Sequence, residues 1–339
     1  MKVAIFSTKS YDRQFLEAAN LANSTEPGQQ HQLSFFEARL DQNTAPLAVE
    51  FPVICGFVND NFSADTLKIL ANQGTRLIAL RCTGFNNVDL PTATNLGIKV
   101  VRVSAYSPYS VAEFTVGMIL TLNRKFHKAY NRIREGNFAL EGLAGFDLHG
   151  KTIGIIGTGK IGLIFAQIMA GFGCQILGYD LYPNPDFIKI PNTRYVDLPE
   201  LFANSHIISL HCPLTPENRY LINTSAINQM KRGVILINTS RGGLIDTQAV
   251  IMGLKSQIIG ALGLDVYEQE SALFFEDLSS TIIQDDIFER LLTFPNVMVT
   301  GHQAFFTTDA LAEIARTTIA SINSFATGQP LANEISINL

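Results

Sequence analysis

The 339-residue sequence has no excess of positive charge: 25 Lys and Arg stand against 30 Asp and Glu, a formal net charge of -5. With nothing to offset a phosphate backbone, a basic nucleic-acid binder is excluded. Long apolar runs are also missing. The stretch from Phe114 to Leu122 is broken by Thr and Gly, well short of the roughly 20 residues of a membrane span. The opening run Met1 to Phe6 is too brief for a signal peptide and reads as a first strand. Cysteine is sparse, and Cys55, Cys82, Cys174 and Cys212 show no paired metal-ligand spacing. That predicts buried free thiols in a reducing, cytoplasmic compartment and no metal site. No internal repeat or low-complexity tract is evident, and the residues after Gly328 form a polar, loosely patterned tail. Small molecules or other protein surfaces remain as partners.

What is present suits a large α/β protein. The length and a 47% hydrophobic composition predict two domains with a substantial core. Short apolar runs at Val3 to Phe6, Val53 to Phe57, Leu77 to Leu80 and Lys99 to Val101 alternate with helical patterns. A second series begins at Thr152, with runs at Ile153 to Ile156, Gln175 to Tyr179, Ile207 to Leu210, Val234 to Ile237, Ile259 to Leu264 and Val297 to Thr300. Strands separated by helices imply two parallel sheets with right-handed crossovers. Between the series, Val111, Phe114, Met118, Leu122 and Phe126 recur at helical intervals, which predicts one long helix from Tyr109 to about Asn137. Such a helix serves interdomain packing and a subunit contact equally well.

The strongest local signal is the segment Lys151 to Gly162, a buried strand running into a glycine triplet and then a helix. Gly157 permits a tight turn, Gly159 lets the backbone approach a pyrophosphate, and Gly162 lets the helix pack closely on the strand. The helix N-terminus offers free N–H groups and partial positive charge to the phosphates. The next strand ends at Asp180, about 20 residues on, where a dinucleotide fingerprint expects its acid. A carboxylate there accepts ribose hydroxyls and repels a 2'-phosphate by roughly 4 kcal/mol at about 4 Å. NAD is therefore expected in preference to NADP.

Three later strands each end in polar residues, at the carboxyl end of a sheet where ligands sit. After Val234 to Asn238 comes Arg241, an always-charged planar fork suited to a carboxylate. The strand ending at Leu264 leads into Asp265-Val266-Tyr267-Glu268-Gln269-Glu270, and the run Val297 to Thr300 leads into Gly301-His302. Reducing a keto acid requires a hydride, a proton for the new alkoxide and a positive group for the anionic substrate. Arginine, histidine and a carboxylate that favours protonated imidazole supply the last two.

With those residues in view, the chain resembles the D-isomer-specific 2-hydroxy acid dehydrogenase family, in particular its D-lactate branch. The likeness runs through Phe57 to Asp60, Leu80 to Asp89, the Gly157 to Gly162 turn, His211 to Asn218, Asn238 to Asp246, Asp265 to Glu270 and Gly301 to Phe305. Leu273 to Asp277 is similar to the branch itself. The resemblance implies two Rossmann-like domains, flavodoxin-like and dinucleotide-binding: residues 1–102 and 304–339 for substrate, and 103–303 for NAD. It implies that Arg241 binds substrate, Glu270 tunes the histidine, and His302 donates the proton. Thr83, Gly84, Tyr106 and Phe305 would also face substrate. Cofactor contacts would come from Gly157, Gly159, Lys160, Ile161, Gly162, Asp180, Cys212, Pro213, Asn218, Thr239, Ser240, Arg241 and Asp265. The implied reaction is NADH-dependent reduction of pyruvate to D-lactate in fermentation, by a homodimer or higher homo-oligomer. Glycerate, phenyllactate or a branched 2-hydroxy acid is the alternative pair, and an NAD-sensing interaction protein is the alternative class. One departure is Phe114, where the family usually has histidine; it bears on packing or subunit contact rather than on the chemistry.

Overall fold

The computed structural model describes residues 1–23 and 30–335 of the chain. They form two compact units, residues 1–107 with 306–339 and residues 108–305. The first contains β1 (Lys2–Ile5), α1 (Ser10–Ala22), β2 (Gln32–Phe35), β3 (Val53–Gly56), α2 (Ala64–Asn72), β4 (Leu77–Leu80), α3 (Leu90–Asn95) and β5 (Lys99–Arg102). Its sheet is parallel throughout in the order β2-β1-β3-β4-β5, the flavodoxin-like arrangement. Strands covered on both faces read as continuous apolar runs, and β3 and β4 are buried at every position.

The second unit opens with α4 (Pro108–Arg124) and α5 (Phe126–Arg134), followed by β6 (Thr152–Ile156), α6 (Lys160–Gly171), β7 (Gln175–Tyr179), β8 (Thr193–Tyr195), α7 (Leu198–Asn204) and β9 (Ile207–Leu210). After these come α8 (Thr224–Gln229), β10 (Val234–Asn238), α9 (Thr247–Lys255), β11 (Ile259–Leu264), α10 (Asp286–Leu292) and β12 (Val297–Val299). The seven parallel strands run β12-β11-β10-β9-β6-β7-β8, so the direction of winding reverses between β6 and β9. The carboxyl ends of those two strands flank the crevice in which such sheets bind ligands.

The last helix, α11 (Thr308–Ala326), belongs to the first unit. Leu311, Ile314, Ala315, Ile319 and Ile322 are buried along one of its faces at helical spacing. Ala315, Ile319 and Ile322 join Val3, Ile5, Leu16 and Val53 in one core. Beyond it the chain does not trail off as a loose tail. The Ile335 N–H bonds to the Val100 carbonyl at 2.8 Å and the Arg102 N–H to the Asn333 carbonyl at 3.1 Å, adding a short antiparallel bridge to β5. Residues 336–339 of that tail lie outside the described residues.

The long helix expected from Tyr109 to about Asn137 is two helices. Lys125 adopts a left-handed backbone at φ +52 between α4 and α5. Its Nζ donates to the carbonyls of Gly142 (2.8 Å) and Ala144 (2.9 Å), so the break is held by a later segment. The first of the two helices packs on α6 and β11. No helix among the described residues is long and apolar enough to cross a membrane.

Candidate active site

The cofactor half of the site forms where β6 and β9 diverge. Gly157 has φ +96, and a Cβ there would stand 2.5 Å from the Cys212 nitrogen. A Cβ on Gly162 would fall on the Gly157 carbonyl oxygen, whereas one on Gly159 meets nothing within 4 Å. Two glycines thus close the turn against its neighbours, and the third leaves its outer side open. No side chain caps α6 at Gly159, so its first N–H groups point into that opening. The cradle fits a pyrophosphate. Asp180 lies beside it: its Oδ2 accepts the Thr158 N–H (2.6 Å) and hydroxyl (3.1 Å), and its Oδ1 accepts the Tyr182 N–H (2.9 Å). A carboxylate has about four lone-pair positions, which leaves one for a ribose hydroxyl.

Opposite the glycine turn, the Ser240 hydroxyl donates to the Cys212 carbonyl at 2.5 Å, and Asn218 bonds back to the Pro213 carbonyl at 2.7 Å. Burial pushes the Cys212 thiol up to about 11, so it stays protonated at neutral pH. The buried Thr115 and Thr239 hydroxyls lie 2.9 Å apart, tying α4 to the end of β10. The fully buried Asn238 holds the Arg241 loop by donating to the Arg241 carbonyl (2.9 Å) and accepting the Ser240 N–H (3.0 Å). A Cβ on Gly242 would strike the backbone of Tyr267 and Glu268, so only glycine lets this loop lie against the chain leaving β11. Arg219 pairs with Glu268 just beyond, and the Tyr220 hydroxyl donates to the same carboxylate oxygen at 2.6 Å.

At the ends of β11 and β12 a carboxylate and an imidazole meet. His302 Nδ1 lies 2.8 Å from Glu270 Oε1, with side chains 18% and 19% exposed. The Tyr267 N–H donates to the other Glu270 oxygen at 2.9 Å. That arrangement fixes the carboxylate from behind and leaves Nε2 as the imidazole nitrogen that the carboxylate does not engage. His302 itself has φ +53, a conformation that costs energy and persists only when its surroundings impose it. Asp265 imposes it. Its carbonyl accepts the His302 N–H at 2.8 Å, while its wholly buried carboxylate accepts the Thr300 hydroxyl (2.5 Å) and the N–H groups of Gln303 (2.9 Å) and Ala304 (2.8 Å). Burial raises the Asp265 carboxyl above its ordinary range, against the pull of those bonds.

Residues 116–304 match the family described as D-isomer specific 2-hydroxyacid dehydrogenase, NAD binding domain. The chain belongs to that family. It is 53% identical over 333 residues to a 2-hydroxyacid dehydrogenase homolog of Haemophilus influenzae, covering 98% of both chains. To the D-lactate dehydrogenase of Escherichia coli it is 51% identical over 335 residues, covering 99% of this chain and 100% of that one. The apo structure of the Escherichia coli D-lactate dehydrogenase superimposes with a TM-score of 0.89 at 48% identity, over 99% and 100% of the two chains.

As a member of this family the protein is an NAD-dependent dehydrogenase with two Rossmann-like domains. The second unit holds Arg241, Glu270, His302, Phe305 and all the residues expected near the cofactor. Lys160 and Ile161 occupy the first turn of α6. Thr83 and Gly84 follow β4, and Tyr106 follows β5, all in the first unit. There the Thr83 hydroxyl donates to the Val103 carbonyl at 2.9 Å and Arg102 donates to the Thr83 carbonyl at 3.0 Å. Phe114, the departure from the family pattern, is partly buried against the α4 and α6 core of the second unit. The sequence reading missed Tyr267, whose N–H holds Glu270, and Phe275, whose ring lies 5.8 Å from that of His302. A backbone donor carries no sequence signal, and Phe275 stood out only as part of the Leu273 to Asp277 stretch that is similar to the D-lactate branch, with no role of its own.

Proposed function

We propose that the protein reduces pyruvate to D-lactate with NADH, using Arg241, Glu270 and His302. The observation that carries this reading is the Glu270 and His302 pair at 2.8 Å, with Nε2 left free to meet a substrate oxygen. Bound NADH supplies the hydride to the keto carbon. His302 gives the keto oxygen its proton from Nε2, and Glu270 compensates the charge that the ring carries beforehand. Arg241 holds the substrate carboxylate through its planar guanidinium. Thr83, Gly84 and Tyr106 also recognise substrate, a role supported by the family resemblance. The lactate assignment is supported by the name of the Escherichia coli relative.

We place the enzyme in the reducing cytoplasm, consistent with four free cysteines, and assign it the fermentative direction. It acts as a homo-oligomer, supported by the exposed apolar stripe of α5. Substituting His302→Ala is expected to lower kcat by about 10²- to 10⁴-fold with NADH affinity nearly unchanged. The measurement is NADH oxidation with pyruvate, with chiral analysis of the product. Full activity in the variant, or L-lactate from the wild type, contradicts the assignment.

A further inference from the structure

Two aromatic rings flank the His302 imidazole: Phe305 edge-on, with centroids 6.4 Å apart, and Phe275 tilted at 39° and 5.8 Å away. Phe305 follows on the histidine's own loop. Phe275 arrives from a separate segment, and three features of the chain deliver it. The turn that opens at Glu270 is closed by N–H bonds from Leu273 (3.0 Å) and Phe274 (2.8 Å) to the Glu270 carbonyl. Phe274 is 7% exposed and anchors the turn against Phe288, edge-on at 6.1 Å. Phe275 then takes φ +71, which a bulky side chain adopts only under constraint. One short turn therefore brings the imidazole both its carboxylate partner and an aromatic neighbour.

A 2-keto acid directs its oxygen to Nε2 and its carboxylate to a guanidinium. What distinguishes one such acid from another is the group at carbon 3, a methyl in pyruvate and larger apolar groups in its homologues. Apolar groups pack where water is excluded, and beside His302 that surface is aromatic. We infer that Phe275 is the wall limiting the carbon-3 group, a specificity-determining residue that holds the enzyme to the smallest 2-keto acids. The assignment rests on the keto acid reaction proposed above. Glu270 and Phe275 share one turn, so the proton donor's carboxylate partner and the size limit are set by the same piece of backbone.

The test compares kcat/KM for pyruvate, 2-oxobutanoate and 4-methyl-2-oxopentanoate in the wild type, Phe275→Leu and Phe275→Ala. Hydrophobic pockets discriminate a methylene by about 10- to 200-fold. The ratio of the branched acid to pyruvate is expected to rise by about that factor in Phe275→Ala and by less in Phe275→Leu. NADH binding, followed by fluorescence, reports folding of the second unit, and judgement passes to Phe275→Leu if Phe275→Ala does not bind. An unchanged ratio, or equal losses on all three acids, overturns the assignment, since Phe275 then only steadies the imidazole. A wild type that reduces none of the three overturns the keto acid reaction and the wall with it, whereas an active wild type with invariant ratios overturns the wall alone.

Discussion

At the scale of single residues, Asp265 does more than its place in a cofactor-facing motif suggests. Its two carboxylate oxygens take three donors, all from residues 300 to 304, and its carbonyl takes the His302 N–H. The loop bearing the imidazole is therefore wrapped around one buried carboxylate. In Asp265→Asn an amide N–H must face one of those donors, leaving a buried polar group unsatisfied at a cost of about 1–3 kcal/mol. The loop then shifts, and a shift of about 1 Å at a reacting group costs on the order of 10²-fold in rate. We expect Asp265→Asn to lower kcat by about that factor while the NADH dissociation constant moves little. A large rise in that constant with kcat intact shows instead that the carboxylate serves the cofactor directly. Steady-state kinetics with an independent NADH titration separates the two outcomes.

At the scale of elements, the glycine turn shows why part of this protein is legible from sequence. Gly157 and Gly162 answer steric demands of the turn itself and Gly159 leaves its outer side open, so the pattern survives without knowledge of the rest of the chain. Gly162→Ala sets a Cβ on the Gly157 carbonyl oxygen, forcing α6 away from β6. Overpacking of this kind costs about 1–3 kcal/mol, and NADH binding is expected to weaken by at least about 10-fold as the phosphate cradle opens, at about 1.4 kcal/mol per tenfold. Gly171→Ala, on the same helix with nothing within 4 Å of its Cβ, is the control and leaves binding unchanged. Elements set by distant partners were not legible. Strands β2 and β8 escaped the apolar-run reading because both are edge strands, half-exposed and mixed with polar residues such as Gln32, Ser34 and Arg194. The break at Lys125 has no glycine or proline to announce it, since its cause is a lysine reaching carbonyls 17 and 19 residues later. Glu270 and His302 were visible as strand-end residues, but the turn that carries Phe275 to the same ring depends on contacts 27 residues apart in sequence.

At the scale of the whole molecule, α5 and the chain after it raise a question that one copy of the protein leaves open. Phe126, Tyr130 and Ile133 are spaced to share one face of α5, and they are 54%, 62% and 54% exposed. Phe138 and Leu140, just beyond the helix, are 74% and 79% exposed. No residue of α5 is buried, so this helix contributes no fully buried side chain to the core of its own unit. Five large apolar side chains within 15 residues exceed the scattered exposure normal for a monomer surface. A second copy presenting the same stripe would cover both at once, because a two-fold axis makes one patch self-complementary. Each large side chain buried in such a contact contributes about 1.5–3 kcal/mol. A double substitution, Tyr130→Glu with Ile133→Glu, places charges in that contact on both copies and is expected to convert a dimer to monomers in sedimentation velocity, with the second unit still binding NADH. If the wild type sediments as a monomer at micromolar concentration, or the double variant stays a dimer, the stripe of α5 is not the contact between copies.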